Sequence, residues 1–209
     1  MTHARVFAHP FTYWVGMDTD PRTTPEALAE FNRFYSTTHV HEVIAAHAGF
    51  LDVSRFELLR AEPGEGKQSG PRWLAVYGMA DEAAAEQYIK DNQRPWLHRK
   101  QYSPWPPARK KARIVWRMLW RQVADTAEAP GGADSVRILG INAPVDGRPS
   151  GGSTRQTQHE LYREFAHPAP GCPRFCLAFE PDVDASARLE AGPGQVVWDL
   201  LYRRIPLPG

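Results

Sequence analysis

The sequence predicts an α+β fold in which a unit of strands and helices is followed by a partial second copy. Three observations predict it. Aromatic and β-branched runs alternate with helical patterns over the first 123 residues. A segment rich in Ala, Pro and Gly follows at residues 125–134, and short motifs of the first part recur beyond it. The length of 209 residues suits one large domain or two small ones.

The first half begins with a strand over residues 6–17. A helix follows, with Thr24 as its N-cap and Pro25 at its first position, and it continues to about residue 46, where Gly49 marks the exit. One face of this helix carries side chains at every third or fourth position, namely Leu28, Phe31, Tyr35, His39 and Val43.

The rest of this unit contains three strands and one helix. Strands are predicted over 50–60, 72–79 and 112–123. The helix is predicted to run from its N-cap Asp81 to about residue 91. The intervening segment 92–111 is interrupted by prolines and reads as a long ordered loop. Alternation in the last strand predicts one face made of Ile114, Trp116, Met118 and Trp120. This β-α-β-β-α-β order is the ferredoxin-like arrangement, an antiparallel sheet with helices on one face.

Motifs beyond the linker match earlier ones in the same order. Residues 173–177 resemble 54–58, and the Trp-to-Tyr run at 198–202 resembles that at 73–77. By this alignment residues 136–143 take the place of the first strand and 154–166 that of the first helix, and a second helix and fourth strand are missing.

The predicted organisation is therefore a ferredoxin-like unit at 1–124, a linker at 125–134 and a truncated second unit at 135–209. A sheet covered by helices on one face leaves the other face apolar and in need of a partner. We therefore expect an intrachain pseudo-dimer of two antiparallel sheets. The truncated unit leaves a sheet edge that another chain can pair with, so both a monomeric pseudo-dimer and a homodimer are open.

Composition excludes several classes of protein. The net charge is +1, from 25 Lys and Arg against 24 Asp and Glu, which argues against a nucleic-acid binder. No apolar run is long enough to cross a membrane. The first residues lack a signal-peptide pattern, and the two cysteines do not make a disulfide framework. We therefore expect a cytoplasmic protein.

The first helix and the strand after it resemble a known superfamily. The run FNRFYSTTHVHEV at residues 31–43, with Gly49-Phe50 and 55–58, is similar to the helix-to-strand signature of the dimeric α+β barrel superfamily, most of all its EthD-like branch. Residues 71–77 and 103–105 fit the same branch, whereas His41 stands where proline is more common. The resemblance covers residues 5–123 well and 135–205 loosely.

The resemblance implies a site location rather than one reaction. Members of the superfamily include cofactor-free polyketide cyclases, small-ring isomerases, cofactor-free quinone-forming monooxygenases and some haem proteins. In this sequence the position of interest is His39, one turn beyond Tyr35 on the face that meets the sheet.

Three side chains are candidates for catalysis. A neutral His39 can take and return a proton next to a carbonyl, and Tyr35 can donate a hydrogen bond to the enolate oxygen. His9 joins them if the face of the first strand that it shares with Tyr13 looks at the helices, and otherwise belongs to an interface. His41 is predicted to be exposed, and His47 to lie at the helix C-terminus, where a cation suits the dipole.

Aromatic residues are the candidates for substrate binding. The chain contains seven Trp, seven Tyr and nine Phe, which indicates either a stiff aromatic core or the wall of a cavity. Within the long loop, aromatic side chains form either a lid or a surface staple, and its basic residues either attract an acidic substrate or form a solvated face. The predicted substrate contacts are Tyr13, Phe31, Trp73, Tyr77, Trp96, Trp105, Trp116 and Trp120.

These expectations combine into a cofactor-free enzyme of small-molecule metabolism that binds no metal. It would cyclise, isomerise or dehydrate an aromatic or polyketide-like substrate by general acid–base chemistry. The alternatives are a cofactor-free monooxygenase acting on the same class of substrate, and a non-catalytic protein that binds a hydrophobic ligand or haem.

Overall fold

Eight antiparallel strands close into one barrel. The computed structural model describes residues 5–62, 69–93, 102–125, 134–142, 155–165, 172–180 and 196–207. The strands are β1 (Phe11–Thr19), β2 (Phe50–Ala61), β3 (Trp73–Met79), β4 (Ala112–Asp125), β5 (Ser135–Ile141), β6 (Arg155–Glu164), β7 (Phe175–Glu180) and β8 (Val196–Ile205). Their order around the barrel is β1-β3-β2-β8-β5-β7-β6-β4, and β4 pairs again with β1.

Closure changes the expected architecture. Instead of two sheets packed face to face, the two sets of four strands join edge to edge, through β2 with β8 and through β4 with β6. Each strand consequently has two neighbours, and the expected free sheet edge is absent from the described strands.

Helices cover the outer face of the first four strands. They are α1 (Pro25–Phe34), α2 (Val40–Ala46) and α3 (Glu82–Asn92), with a π-helical turn at Tyr35–His39 between α1 and α2 and a 3₁₀ turn at Pro107–Lys111. The predicted caps are present: the Thr24 hydroxyl accepts a hydrogen bond from the amide of Ala27, and the Asp81 carboxylate accepts one from that of Ala84.

The barrel wall separates two apolar cores because side chains alternate across each strand. In β1, Tyr13 and Val15 point outward to the helices, whereas Trp14 points into the barrel. The barrel interior is filled with side chains from all eight strands and from the segment before β1, including Phe7, Trp14, Phe56, Trp116, Trp120, Trp198 and Tyr202.

A β-bulge in β4 divides the face that the sequence predicts as continuous. Gly16 pairs with Trp116, but its neighbour Met17 pairs with Ile114, so Val115 is an extra residue. Ile114 therefore packs on the helix side, and Trp116 and the tryptophan four residues later point into the barrel. The predicted single face is wrong at Ile114.

The prediction of a helix over residues 154–166 is also wrong. Residues 155–164 form β6, which pairs with both β4 and β7. His159 and Leu161 alternate inward and contact the barrel interior. A helix could not supply the backbone groups that close the barrel between two strands, so this position requires a strand.

The two halves of the barrel have the same strand order, β4-β1-β3-β2 and β8-β5-β7-β6. By position β8 therefore corresponds to β4 and β7 to β3, one strand away from the alignment based on sequence motifs. The fourth strand, which that alignment left missing, is β8. Of the predicted linker, Asp125 belongs to β4 and residues 126–133 lie outside the described residues.

Candidate functional site

A cavity of about 250 Å³ lies between the helices and the outer face of the barrel wall. β1, β3 and β4 form its floor, and α2, α3, the π-helical turn and the segment before the 3₁₀ turn form its walls. Its lining is Tyr13, Val15, Met17, Tyr35, His39, Val43, His47, Tyr77, Tyr88, Tyr102, Trp105, Arg109, Ile114 and Arg117.

The π-helical turn positions the two predicted catalytic side chains. A turn of this kind opens the α-helical hydrogen-bond ladder, and here Arg55 enters the opening. Its guanidinium donates hydrogen bonds to the carbonyl of Asn32 at 3.1 Å and to the hydroxyl of Ser36 at 2.6 Å. It also lies 4.2 Å from the ring centroid of Tyr35. Arg55 therefore supports the turn that carries Tyr35 and His39.

His39 is held between aromatic rings. Its ring centroid is 5.1 Å from that of Tyr35 and 4.3 Å from that of Trp105. Its Nδ1 lies 4.0 Å from Oε2 of Glu42, and both atoms are buried without a hydrogen-bond partner among the described residues. The other carboxylate oxygen of Glu42 accepts a hydrogen bond from the amide of Ser103 at 2.8 Å.

Burial controls the protonation state of this histidine. It lowers the pKa of His39 to about 3, with further lowering by the charges of Arg109 and Arg55. The imidazole is therefore neutral at physiological pH, and one ring nitrogen can accept a proton while the other donates one.

The tyrosines of the cavity are neutral hydrogen-bond donors. Burial raises the pKa of Tyr35, and it raises the pKa values of Tyr77 and Tyr88 well above the usual range. The hydroxyl of Tyr77 is buried beside that of Tyr35, and this neighbour raises the pKa of Tyr77 further.

Two arginines bring positive charge to the cavity. Arg117 donates hydrogen bonds to the hydroxyls of Tyr13, at 2.9 Å, and Tyr88, at 3.4 Å, and to the side chain of Asn92. Arg109 donates to the carbonyl of Ala112 at 2.7 Å and lies over Trp105 at 5.4 Å from the ring centroid. All of these partners are neutral.

His47 lines the cavity as well. Its Nε2 is 3.1 Å from the hydroxyl of Tyr102, and its Nδ1 is 3.9 Å from a carboxylate oxygen of Asp91. The residue does follow the last turn of α2, as predicted, but its ring turns inward toward Phe50 and Tyr88 rather than outward to solvent.

Several of the residues predicted from the sequence meet in this cavity. Tyr35 and His39 line it together with Tyr13, Tyr77 and Trp105. Trp105 forms the cavity wall next to His39. The predicted substrate contact Phe31 does not line the cavity but stacks on Trp105, with 5.8 Å between the ring centroids.

Other predicted site residues lie elsewhere. Trp116 and Trp120 point into the barrel, and the bulge in β4 places only Ile114 of the predicted face on the helix side. Trp73 is buried in the helix-side core but does not line the cavity. His9 lies before β1 begins, where the alternation with Tyr13 is broken, and its Nε2 is 2.7 Å from the carboxylate of Asp52. Trp96 lies outside the described residues.

Sequence reasoning missed four polar or aromatic groups of the site: Glu42, Arg55, Tyr88 and Arg117. Arg109 belongs to the basic residues of the long loop, for which attraction of an acidic substrate was one of two expectations. Glu42 carried a signal, because it is three residues from His39 on the same helix and so on its face. Arg117 carried one too, since it alternates with the tryptophans of β4 and must point to the opposite side of the sheet. Arg55 carried no such signal, because no feature of the sequence predicts a π-helical turn.

The described segments were compared with two further kinds of feature, metal-ligand clusters and membrane-spanning helices. Within these segments no three His, Cys, Asp or Glu side chains are grouped so as to hold a metal ion. Nor does any described helix have the length and apolar character needed to cross a membrane.

The comparison with solved structures identifies the class of fold. The chain resembles the crystal structure of a protein that is provisionally named a chlorite dismutase. The TM-score is 0.52 and the sequence identity is 12%, and the match covers 94% of this chain and 95% of that one. At this identity the likeness shows the fold alone, a closed antiparallel barrel with helices on part of its outer face. It does not single out the EthD-like branch. No protein-family model matches the chain, and no curated protein matches its sequence.

Proposed function

We propose that the protein is a cofactor-free enzyme that performs general acid–base chemistry on a small aromatic substrate in the helix-side cavity. The observation that carries the proposal is the convergence of His39, Tyr35 and Tyr77 on one cavity with aromatic walls. A neutral base and neutral phenol donors on the same void are the groups that enolisation of a ketone requires.

Each group has a role in the proposed chemistry. Nε2 of His39 removes a proton from the carbon next to a substrate carbonyl, and the carboxylate of Glu42 stabilises the imidazolium that forms. The hydroxyls of Tyr35 and Tyr77 donate hydrogen bonds to the oxygen as it becomes an enolate. Return of the proton to a different carbon gives isomerisation, and transfer to a departing hydroxyl gives dehydration.

Cavity volume limits the size of the substrate. A protein cavity of about 150 Å³ is large enough for benzene. The volume of about 250 Å³ here therefore suits a molecule with one or two fused rings.

Haem, one of the alternatives, does not fit this cavity. Pockets for drug-sized ligands range from about 300 to 1,000 Å³, and haem is a large member of that size class. We therefore assign the cavity no haem-dependent step.

The test is the exchange of carbon-bound protons of 2-tetralone with deuterated solvent, followed by proton NMR. The wild-type protein should accelerate exchange above the buffer rate, and His39→Gln should lower the acceleration by about 10²–10⁴-fold, the usual contribution of a general base. The matched control is His41→Gln, an exposed residue of the same helix. Equal exchange by wild type and His39→Gln would refute the role of His39. Oxygen uptake with the same substrate would instead favour the monooxygenase.

A further inference from the structure

The positive charge around the cavity has no acidic partner in the described chain. No described residue that lines the cavity is acidic, although two lining residues are arginines. Arg55, directly behind Tyr35, is 1% exposed and is held by the side chain and carbonyl of Asn32 and the hydroxyl of Ser36, which are neutral. Two cations therefore line the aromatic cavity, and a third lies behind its wall.

Two other arginines of the described chain, the buried Arg155 and the half-buried Arg137, are paired with carboxylates. Arg155 contacts Asp125 and Glu180 at 2.7 and 2.6 Å. Arg137 forms a two-point hydrogen bond with Asp199, at 2.9 and 2.8 Å. Arg109 and Arg117, by contrast, have no carboxylate partner among the described residues. Removing a cation from water without a counterion is costly, and this cost favours a negatively charged ligand beside the two arginines that line the cavity.

We infer that the cavity binds an aromatic carboxylate, with Arg109 and Arg117 as the groups that select its negative charge. A guanidinium is planar and matches the two oxygens of a carboxylate. A carboxylate is ionised at neutral pH, whereas a simple phenol is not. This inference rests on the proposed function, since it names the substrate class of the same cavity.

The hydrogen-bond arrangement leaves room for such a ligand. Arg117 uses its Nε and Nη2 groups on neutral side chains, and Arg109 uses Nη1 on the carbonyl of Ala112. Among the described residues, Nη1 of Arg117 and Nη2 of Arg109 have no acceptor. The ring of the ligand then packs against Tyr35 and Trp105, which lie 5.8 Å apart between ring centroids.

The test compares two probes of equal size by isothermal titration calorimetry at pH 7.5. One is 2-naphthoate, which is an anion, and the other is 2-naphthalenemethanol, which is neutral. The wild-type protein should bind 2-naphthoate at least tenfold more tightly. Arg117→Gln and Arg109→Gln should each reduce that preference by tenfold or more, and Arg117→Lys should keep part of it. The control is Arg113→Gln, on the same strand with a side chain that is 77% exposed, and it should change nothing.

The outcomes separate this inference from the proposed function. If both probes bind equally well to the wild type, the charge selection is wrong and the cavity remains an aromatic site. If neither probe binds, the ligand site itself is refuted, and the proposed function fails with it. If Arg117→Gln does not fold, Arg109→Gln and Arg117→Lys still decide the charge selection, and an undiminished preference for 2-naphthoate in both overturns it.

Discussion

Trp116 and Trp198 stack inside the barrel, with ring centroids 4.2 Å apart and an angle of 20° between the ring planes. One belongs to β4 and the other to β8, the strands that occupy equivalent places in the two halves. Both pair with a glycine and stand beside a β-bulge, Trp116 with Gly16 and Trp198 with Gly140. This pair joins the two halves at the centre of the barrel.

Truncation of Trp116 should therefore affect stability and not binding. We expect Trp116→Ala to lower the free energy of unfolding by about 3–5 kcal/mol, because it removes a fully packed indole from the barrel interior. Chemical denaturation measures the loss, and the dissociation constant of 2-naphthoate for the folded protein should stay within twofold of wild type. Trp105→Ala is the counterpart, with weakened binding as its main effect. A reversed pattern would mean that the site lies inside the barrel.

Gly16 and Gly140 should respond to substitution in the same way, because each lies against a proline. A Cβ on Gly16 would lie 2.5 Å from Cγ of Pro71, and a Cβ on Gly140 would lie 2.7 Å from Cγ of Pro173. Both distances are too short for a rigid proline ring, so Gly16→Ala and Gly140→Ala should each destabilise the protein by about 1–3 kcal/mol. Thermal unfolding measures both. A neutral result at either position would show that the strand there moves freely away from its proline.

Glu42 should act as a positioning residue for His39. Glu42→Gln keeps the shape of the side chain but loses the charge that stabilises the imidazolium. We expect roughly a tenfold slower exchange of 2-tetralone protons with unchanged affinity for 2-naphthoate, a loss comparable to about 1.4 kcal/mol of transition-state stabilisation. Glu30→Gln, on the exposed side of α1, is the control. Equal rates for Glu42→Gln and wild type would remove Glu42 from the mechanism.

Two buried histidines predict how stability depends on pH. Burial lowers the pKa values of both His39 and His159 to about 3, whereas the unfolded values are near 6.5. Between these values the unfolded chain binds the proton and the folded chain does not. Stability is therefore full above pH 6.5 and falls as the pH drops toward 3, by about 1.4 kcal/mol per pH unit for each histidine.

Replacing either histidine should flatten this acid dependence. From pH 7 to pH 5, His39→Gln and His159→Gln should each lose about 2 kcal/mol less than wild type, as measured by urea unfolding. His41→Gln, at an exposed position, should leave the slope unchanged. Parallel curves for wild type and all three variants would show that neither buried histidine controls acid unfolding.

Much of the first half follows from its sequence, because its signals are local. Caps at Thr24 and Asp81 and the alternation in β1 and β3 depend on neighbours along the chain. The caps are where the sequence predicts them, whereas β1 begins at Phe11 instead of residue 6. The face of His39 and Tyr35 follows from helical spacing in the same way.

The second half was harder because its signals are not local. Residues 155–164 become a strand since β4 and β7 need a partner between them, and nothing within the segment itself requires that pairing. The bulge at Val115 likewise depends on the contact of β4 with β1. One extra residue separates Ile114, which lines the cavity together with Arg117, from Trp116 and Trp120, which point into the barrel.

Filling the cavity shows whether ligand binding and proton transfer take place on the helix side of the barrel wall. Val43 lines the cavity and carries no chemical function, so Val43→Phe blocks the space and leaves His39, Tyr35 and both arginines in place. The measurement is the dissociation constant of 2-naphthoate by calorimetry. We predict at least tenfold weaker binding with a thermal stability equal to or above that of wild type. If a folded Val43→Phe protein binds 2-naphthoate with unchanged affinity, the ligand does not bind in this cavity and the site lies elsewhere.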